Sequence, residues 1–231
     1  MEFCILPPLD QLNYGRLSTR HLCLAHVNDV KYWEFYRARQ REGDIIILDN
    51  GAYEGSHDWD VLRNRIAYLD PDVAILPDRI GESWDVTYRE AFKFLDEHFK
   101  QFALTDWMYV PQALEHDIVG WSIGLNLALE DVRISWVGLP RALAYLYTND
   151  PFIRSKIATH IKRMRPDVRI HALGMVNGSI RELQSLAETG CVESIDSHWP
   201  FKGTYEEILP RLEVCGVNTT TNFGTRSYAQ R

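Results

Sequence analysis

The 231-residue chain is long enough for one domain with a sizeable core, and its 45% apolar and 25% charged composition is that of a soluble globular protein. A net charge of −7 gives no general support for nucleic-acid binding, no apolar run approaches the roughly 20 residues of a membrane span, and the acidic, proline-containing start MEFCILPPLD does not read as a signal peptide. Cys4, Cys23, Cys191 and Cys215 lie far apart with no CxxC pair, so the sequence predicts reduced thiols in a cytoplasm, without a disulfide framework, bound metal or cofactor.

Along the chain, short apolar runs alternate with longer amphipathic ones. Strands are predicted at 21–26, 44–49, 72–77, 107–111, 133–138, 168–173 and 191–196. Helices are predicted between them at 29–41, 59–68, 83–99, 115–129, 151–164 and 179–189, with another at 204–212. Asp29 and Asp58 stand where N-caps belong, and Ser179 precedes Glu182 at capping-box spacing. An eighth strand falls either at 2–6 or at 217–223. This alternation predicts parallel strands with helical crossovers, closed as a single compact (β/α)8 TIM barrel over residues 1–231. No GxGxxG or phosphate loop follows the first strand, which disfavours an open dinucleotide-binding sheet.

In a parallel barrel the active site gathers at the C-terminal ends of the strands. The stretch IILDNGAYEG ends its strand in Asp49-Asn50-Gly51-Ala52-Tyr53. Later strands end in Pro77-Asp78-Arg79, Pro111-Gln112-Ala113, Gly138-Leu139-Pro140, Leu173-Gly174-Met175 and Asp196-Ser197-His198. One aspartate after a strand commonly caps a helix or forms a turn. Asp49, Asp78 and Asp196 together, joined by Gln112, point to a binding mouth. Carboxylates only accept hydrogen bonds, whereas a carboxamide also donates. That set suits a guanine-like base: Asp78 accepts from its N–H edge, while Gln112 and the backbone near Gly138 or Leu139 donate to its carbonyl. Tyr53 either stacks on the base, worth roughly 1–3 kcal/mol, or packs as a rim aromatic. Trp199 either stacks on a neighbouring base or fills the core, and His198 either meets a phosphate or sugar or simply forms a turn.

Charge is unevenly spread. Residues 152–169 carry a net +5, from Arg154, Lys156, Lys162, Arg163, Arg165 and Arg169 against Asp167, leaving −12 for the remainder. This strip is either a phosphate contact or a solvated helix face. A metal-dependent hydrolase would have to use His26, Asp78, His171 and Asp196, and no HxH or HExxH spacing supports that.

The ordered set of strand ends resembles the tRNA-guanine transglycosylase (queuine tRNA-ribosyltransferase-like) family, including its phage members that put 7-deazaguanine bases into DNA. Asp49 to Tyr53 matches the family's Asp-Ser-Gly-Gly-Tyr type turn, Asp78 its next strand-end Asp, and Gln112 its Gln. Val137-Gly138-Leu139 matches a Gly-Gly-Leu type turn, Ala172-Leu173-Gly174 a Leu-Met-Gly type turn, and Ile195 through Pro200, with Asp196 second, a Phe-Asp-Cys-Val-x-Pro type turn. The resemblance implies Asp196 as nucleophile and Asp49 as general acid/base. It implies base reading by Asp78, Gln112, Gly138, Leu139 and Gly174, and a sandwich between Tyr53 and Leu173. The family's cluster of three cysteines and a histidine is absent from this sequence, so the resemblance favours DNA over tRNA as the polymer. It implies a free base such as preQ0 or preQ1 as second substrate and a host cytoplasm if the source is viral. A homodimer, and a non-catalytic base-binding subunit that keeps the pocket, remain open readings.

Overall fold

A computed structural model describes residues 1–220. Eight strands alternate with helices. They are β1 (Glu2–Ile5), β2 (Arg20–Leu24), α1 (Val30–Arg41), β3 (Ile45–Asp49), α2 (Trp59–Leu69), β4 (Val73–Ile75), α3 (Trp84–His98), β5 (Asp106–Tyr109), α4 (Ile118–Glu130), β6 (Ile134–Pro140), α5 (Ile153–Met164), β7 (Arg169–Leu173), α6 (Ile180–Glu188), β8 (Ser194–Ser197) and α7 (Tyr205–Val214). The strands form one parallel sheet in sequential order from β2 to β8, with β1 beside β8, curled into a nearly closed TIM barrel as the alternation predicts.

The eighth strand is the N-terminal one. EFCI pairs with β8, setting Cys4 opposite Asp196. The alternative at 217–223 runs past residue 220 and so lies partly outside the described residues. No ladder joins β1 to β2. Side chains bridge that junction instead: Ser18 Oγ donates to the Phe3 carbonyl at 2.9 Å, and Arg20 Nε pairs with Glu2 at 2.8 Å.

Alternation along the strands sorts side chains into two layers. Cys4, Leu22, Ile47, Met108, Val110 and Trp136 pack together inside the barrel. Residues of opposite parity, such as Ile46, Leu48 and Ala74, meet the helices outside. The interior leaves no room at Gly138, where a Cβ would sit 2.7 Å from Val110 Cγ2 and 3.0 Å from Leu173 Cδ1. Trp136 closes the N-terminal end between the guanidinium groups of Arg20 and Arg169, 5.7 and 5.5 Å from its ring.

The caps form where expected. Asp29 accepts from Tyr32 N, and Asp58 from Asp60 N and Val61 N, each worth about 1 kcal/mol over alanine. Ser179 accepts from Glu182 N, but only half of that box exists, because the Glu182 carboxylate turns to Arg154 and to Val176 N. Among the described residues no helix is long and apolar enough to cross a membrane.

Candidate active site

A cavity of about 280 Å³ opens at the C-terminal ends of the strands. Strand parity aims side chains into it. Ile47 points inward, so Asp49 does too; Met108 and Val110 carry the same parity to Gln112; Ser194 carries it to Asp196. Asp49, Asn50, Asp78, Gln112, Leu173 and Asp196 all line the cavity, above a floor of Leu22, Leu24, Ile75 and Val110.

The three aspartates differ in their surroundings. Asp78 is buried between two amides: Asn50 Nδ2 donates to Oδ1 and Gln112 Nε2 to Oδ2, both at 2.6 Å. Burial raises its pKa to about 6, against the pull of those amides and of Arg79. Asp49 is half-buried, and its carboxyl is held well above the usual range, by desolvation first and then by the charges of Glu54, Asp78 and Asp196. Asp196 is 7% exposed. Its Oδ1 accepts from Gly174 N at 2.9 Å and pairs with His171 Nε2 at 3.1 Å, while no described residue hydrogen-bonds Oδ2.

The rim is built from loops. Tyr53 is 63% exposed, and its hydroxyl accepts a hydrogen bond from Arg141. The Arg141 guanidinium also lies 4.7 Å from the Tyr53 ring centre, so the pair joins the β3 loop to the β6 loop across the mouth. His198 lines the same rim; burial, then Lys202 and Arg141, lower its pKa. Leu173 lines the cavity from the end of β7. Gly174 adopts φ +69°, the left-handed conformation that lets its N–H face Asp196.

Several expectations need correction. Gly138 and Leu139 do not form a turn: β6 runs two residues further than predicted, pairing Gly138 with His171 and Leu139 with Ala172. Neither lines the cavity, and Leu139 packs outward beneath the helices. Gln112 gives its amide nitrogen to Asp78, so it orients that carboxylate. Arg154 leaves the basic strip altogether. It shares the buried face of α5 with Ala158 and Ile161, at 0% exposure. From there it pairs with Glu182 at 2.7 Å and donates to the carbonyls of Leu139, Leu173 and Gly174. Lys156 pairs with Asp150, and Lys162 lies 3.9 Å from Glu193. Arg165 holds Asp167 and the carbonyls of Leu129 and Ile134. Ile134 begins β6, so Lys162, Arg163 and Arg165 lie at the end of the barrel opposite the cavity.

Sequence reasoning gave no role to Asn50 or Arg141, placed Arg154 in the basic strip rather than in the core, and met His171 only as an imagined ligand. His171 was findable by parity, two residues before the wall residue Leu173; Arg154 by its place in an i, i+4, i+7 stripe. Trp199 packs against the core with Arg211 over its ring at 5.2 Å.

Fold and site together define a TIM-barrel protein with a carboxylate-lined mouth. No family model matches the chain, and no curated protein matches it. Among solved structures it is similar to a 4-hydroxy-2-oxoglutarate aldolase/2-deydro-3-deoxyphosphogluconate aldolase, with 12% identity, coverage of 92% of this chain and 91% of that one, and a TM-score of 0.53. At that identity the likeness shows the barrel fold alone.

Proposed function

We propose that this protein is a base-exchange transglycosylase, replacing guanine in a nucleic acid, DNA in preference to tRNA, with a free 7-deazaguanine base such as preQ0 or preQ1. One observation carries the reading: Asp49, Asp78 and Asp196 meet at one small cavity, each in a different hydrogen-bonding environment. At 280 Å³ the cavity is at the small end of ligand sites, which begin at about 300 Å³. Among the described residues no lysine lines it, so a carbonyl substrate finds no amine for an imine.

Exchange with retention at the anomeric carbon needs two displacements and a covalent intermediate. Asp196 supplies the nucleophile through Oδ2, the oxygen that no described residue binds. Its charge also stabilises the oxocarbenium-like transition state. Asp49, kept protonated by burial and neighbouring carboxylates, gives its proton to the departing guanine and then takes one from the incoming base. Asp78 reads the N–H edge of the base, steadied by Asn50 and Gln112. Leu173 and Tyr53 flank the ring, and the base leaves its helical stack at a cost of a few kcal/mol. The preference for DNA rests on the sequence pattern, in which the tRNA enzymes' closely spaced cysteines do not occur.

The test incubates the protein with labelled guanine and, separately, duplex DNA, single-stranded DNA and tRNA. Label entering a DNA arm is the expected result. Label in tRNA alone moves the polymer, and label in none of them rejects the reading.

A further inference from the structure

Beneath the carboxylates, the barrel interior holds a hydrogen-bonded chain that ends on one oxygen of Asp196. His171 is fully buried. Its Nδ1 lies 2.8 Å from Ser194 Oγ and its Nε2 3.1 Å from Asp196 Oδ1. The Cys4 thiol is buried on the neighbouring strand, opposite Asp196, and burial followed by the Asp196 charge pushes its pKa up, so it stays a thiol. These partners fix the proton directions. A carboxylate at Asp196 only accepts, so the Nε2 nitrogen of His171 carries a proton toward Oδ1 while Nδ1 meets the Ser194 hydroxyl. The Gly174 N–H donates to the same Oδ1 at 2.9 Å. Gly174 is itself held through its carbonyl by Arg154, the buried cation paired with Glu182.

We propose that His171 is a positioning residue that ties Oδ1 of Asp196 to the protein and leaves Oδ2 to bond the sugar; this rests on the transglycosylase reading above. In the first displacement an Oδ2 electron pair forms the bond to the anomeric carbon. The bond from that carbon to the base nitrogen breaks, and its pair leaves with the base, which takes the Asp49 proton. In the second, the incoming base nitrogen bonds the anomeric carbon as its own proton passes to Asp49. The carbon–Oδ2 pair then returns to Asp196. Between the two steps Oδ1 is an ester carbonyl oxygen. Two N–H donors hold a charged carboxylate oxygen more strongly than an ester oxygen. They therefore assist the departure of Asp196 more than its attack.

His171→Leu removes the donor at similar volume, and His171→Gln returns an amide N–H near the place of Nε2. With labelled guanine and a polymer the wild type accepts, His171→Leu is expected to lower kcat about 10²-fold, the scale of one lost charge-stabilising donor, without changing KM for the free base. The fraction of protein caught as a covalent adduct on a denaturing gel should rise, and His171→Gln should recover most of kcat. Unchanged kcat and adduct fraction in a folded His171→Leu protein overturns the proposal, as does a folded Gln variant as slow as the Leu one. Where the Leu variant fails to fold, Ser194→Ala reads the same chain, with a partial kcat loss expected and none overturning it. A wild type that labels no polymer rejects the transglycosylase reading and this inference with it, and the wild type alone tells that failure apart.

Discussion

Strand β3 has an aspartate at each end, and the two live under opposite rules. Asp44, just before the strand, is buried beside the Arg39 guanidinium and the His21 ring. His21 Nε2 lies 2.8 Å and Arg39 Nε 2.6 Å from the same oxygen. Burial alone would raise its pKa, yet His21 and Arg39 hold the carboxyl below the usual range. Asp49, at the other end, has its pKa raised by desolvation and then by the charges of Glu54, Asp78 and Asp196. A compensated buried charge is a clasp, and an uncompensated one is a poised proton. One end of the barrel therefore holds a charge-compensated carboxylate and the other a carboxyl that keeps its proton.

Substitutions at the two ends should fail differently. The largest effect belongs to Asp196→Asn, which removes the nucleophile and almost no volume. Base exchange should fall by about 10⁴-fold or more while the thermal midpoint barely moves; full activity in that variant would end the assignment. Asp44→Asn should do the reverse. It leaves Arg39 and His21 buried without their anion, so denaturant unfolding should show a loss of about 3–5 kcal/mol, with exchange per folded molecule intact. A slow but stable Asp44→Asn protein would break the contrast.

Proton linkage gives the two ends opposite signs. Asp78 has a folded pKa of about 6, above its unfolded value, so the native state holds the extra proton between pH 3.8 and about 6. Its contribution should lower stability by about 3 kcal/mol as pH rises through that window and stay level above it. Asp44, with a depressed pKa, contributes stability that is present above the unfolded value and lost as pH falls through the folded one. Urea unfolding from pH 3 to 8 reads both. Asp78→Asn should erase the decline below pH 6, and Asp44→Asn should erase the acid-side loss.

The smallest effect concerns polymer contact. Arg141 and Lys202 stand at the mouth, whereas Arg163 stands at the far end. Removing both mouth cations should reduce the slope of log binding constant against log salt by about 1–2, and Arg163→Ala should leave it unchanged. Equal slopes for all variants would detach the mouth from nucleic-acid binding.

The barrel was legible because periodicity is a local property: seven apolar runs with helices between them admit few arrangements. Asp49, Asp78, Gln112 and Asp196 were legible for the same reason, since a strand end is a place in the sequence as well as in the fold. Hydrogen bonds made across the barrel were not legible. Nothing near Gln112 announces that its amide serves Asp78, 34 residues away. The basic strip misled because net charge along a segment ignores which face each side chain takes. Arg154 lies on the buried face, Lys156 pairs with Asp150, and α5 carries Lys162 and Arg163 away from the mouth. Gly138 misled because its glycine reads as a turn, whereas it is there to keep the interior from overfilling.

The missing ladder between β1 and β2 gives the barrel a place to breathe. Seven of its eight strand contacts are laced by parallel pairing, and the eighth rests on Ser18 and the Arg20–Glu2 pair. Amide protons along that edge should be the first of the strand amides to exchange with deuterated solvent, at a free energy below that of global unfolding. Since β1 also lies against β8, the strand that carries Asp196, the barrel's softest edge runs one strand away from its proposed nucleophile.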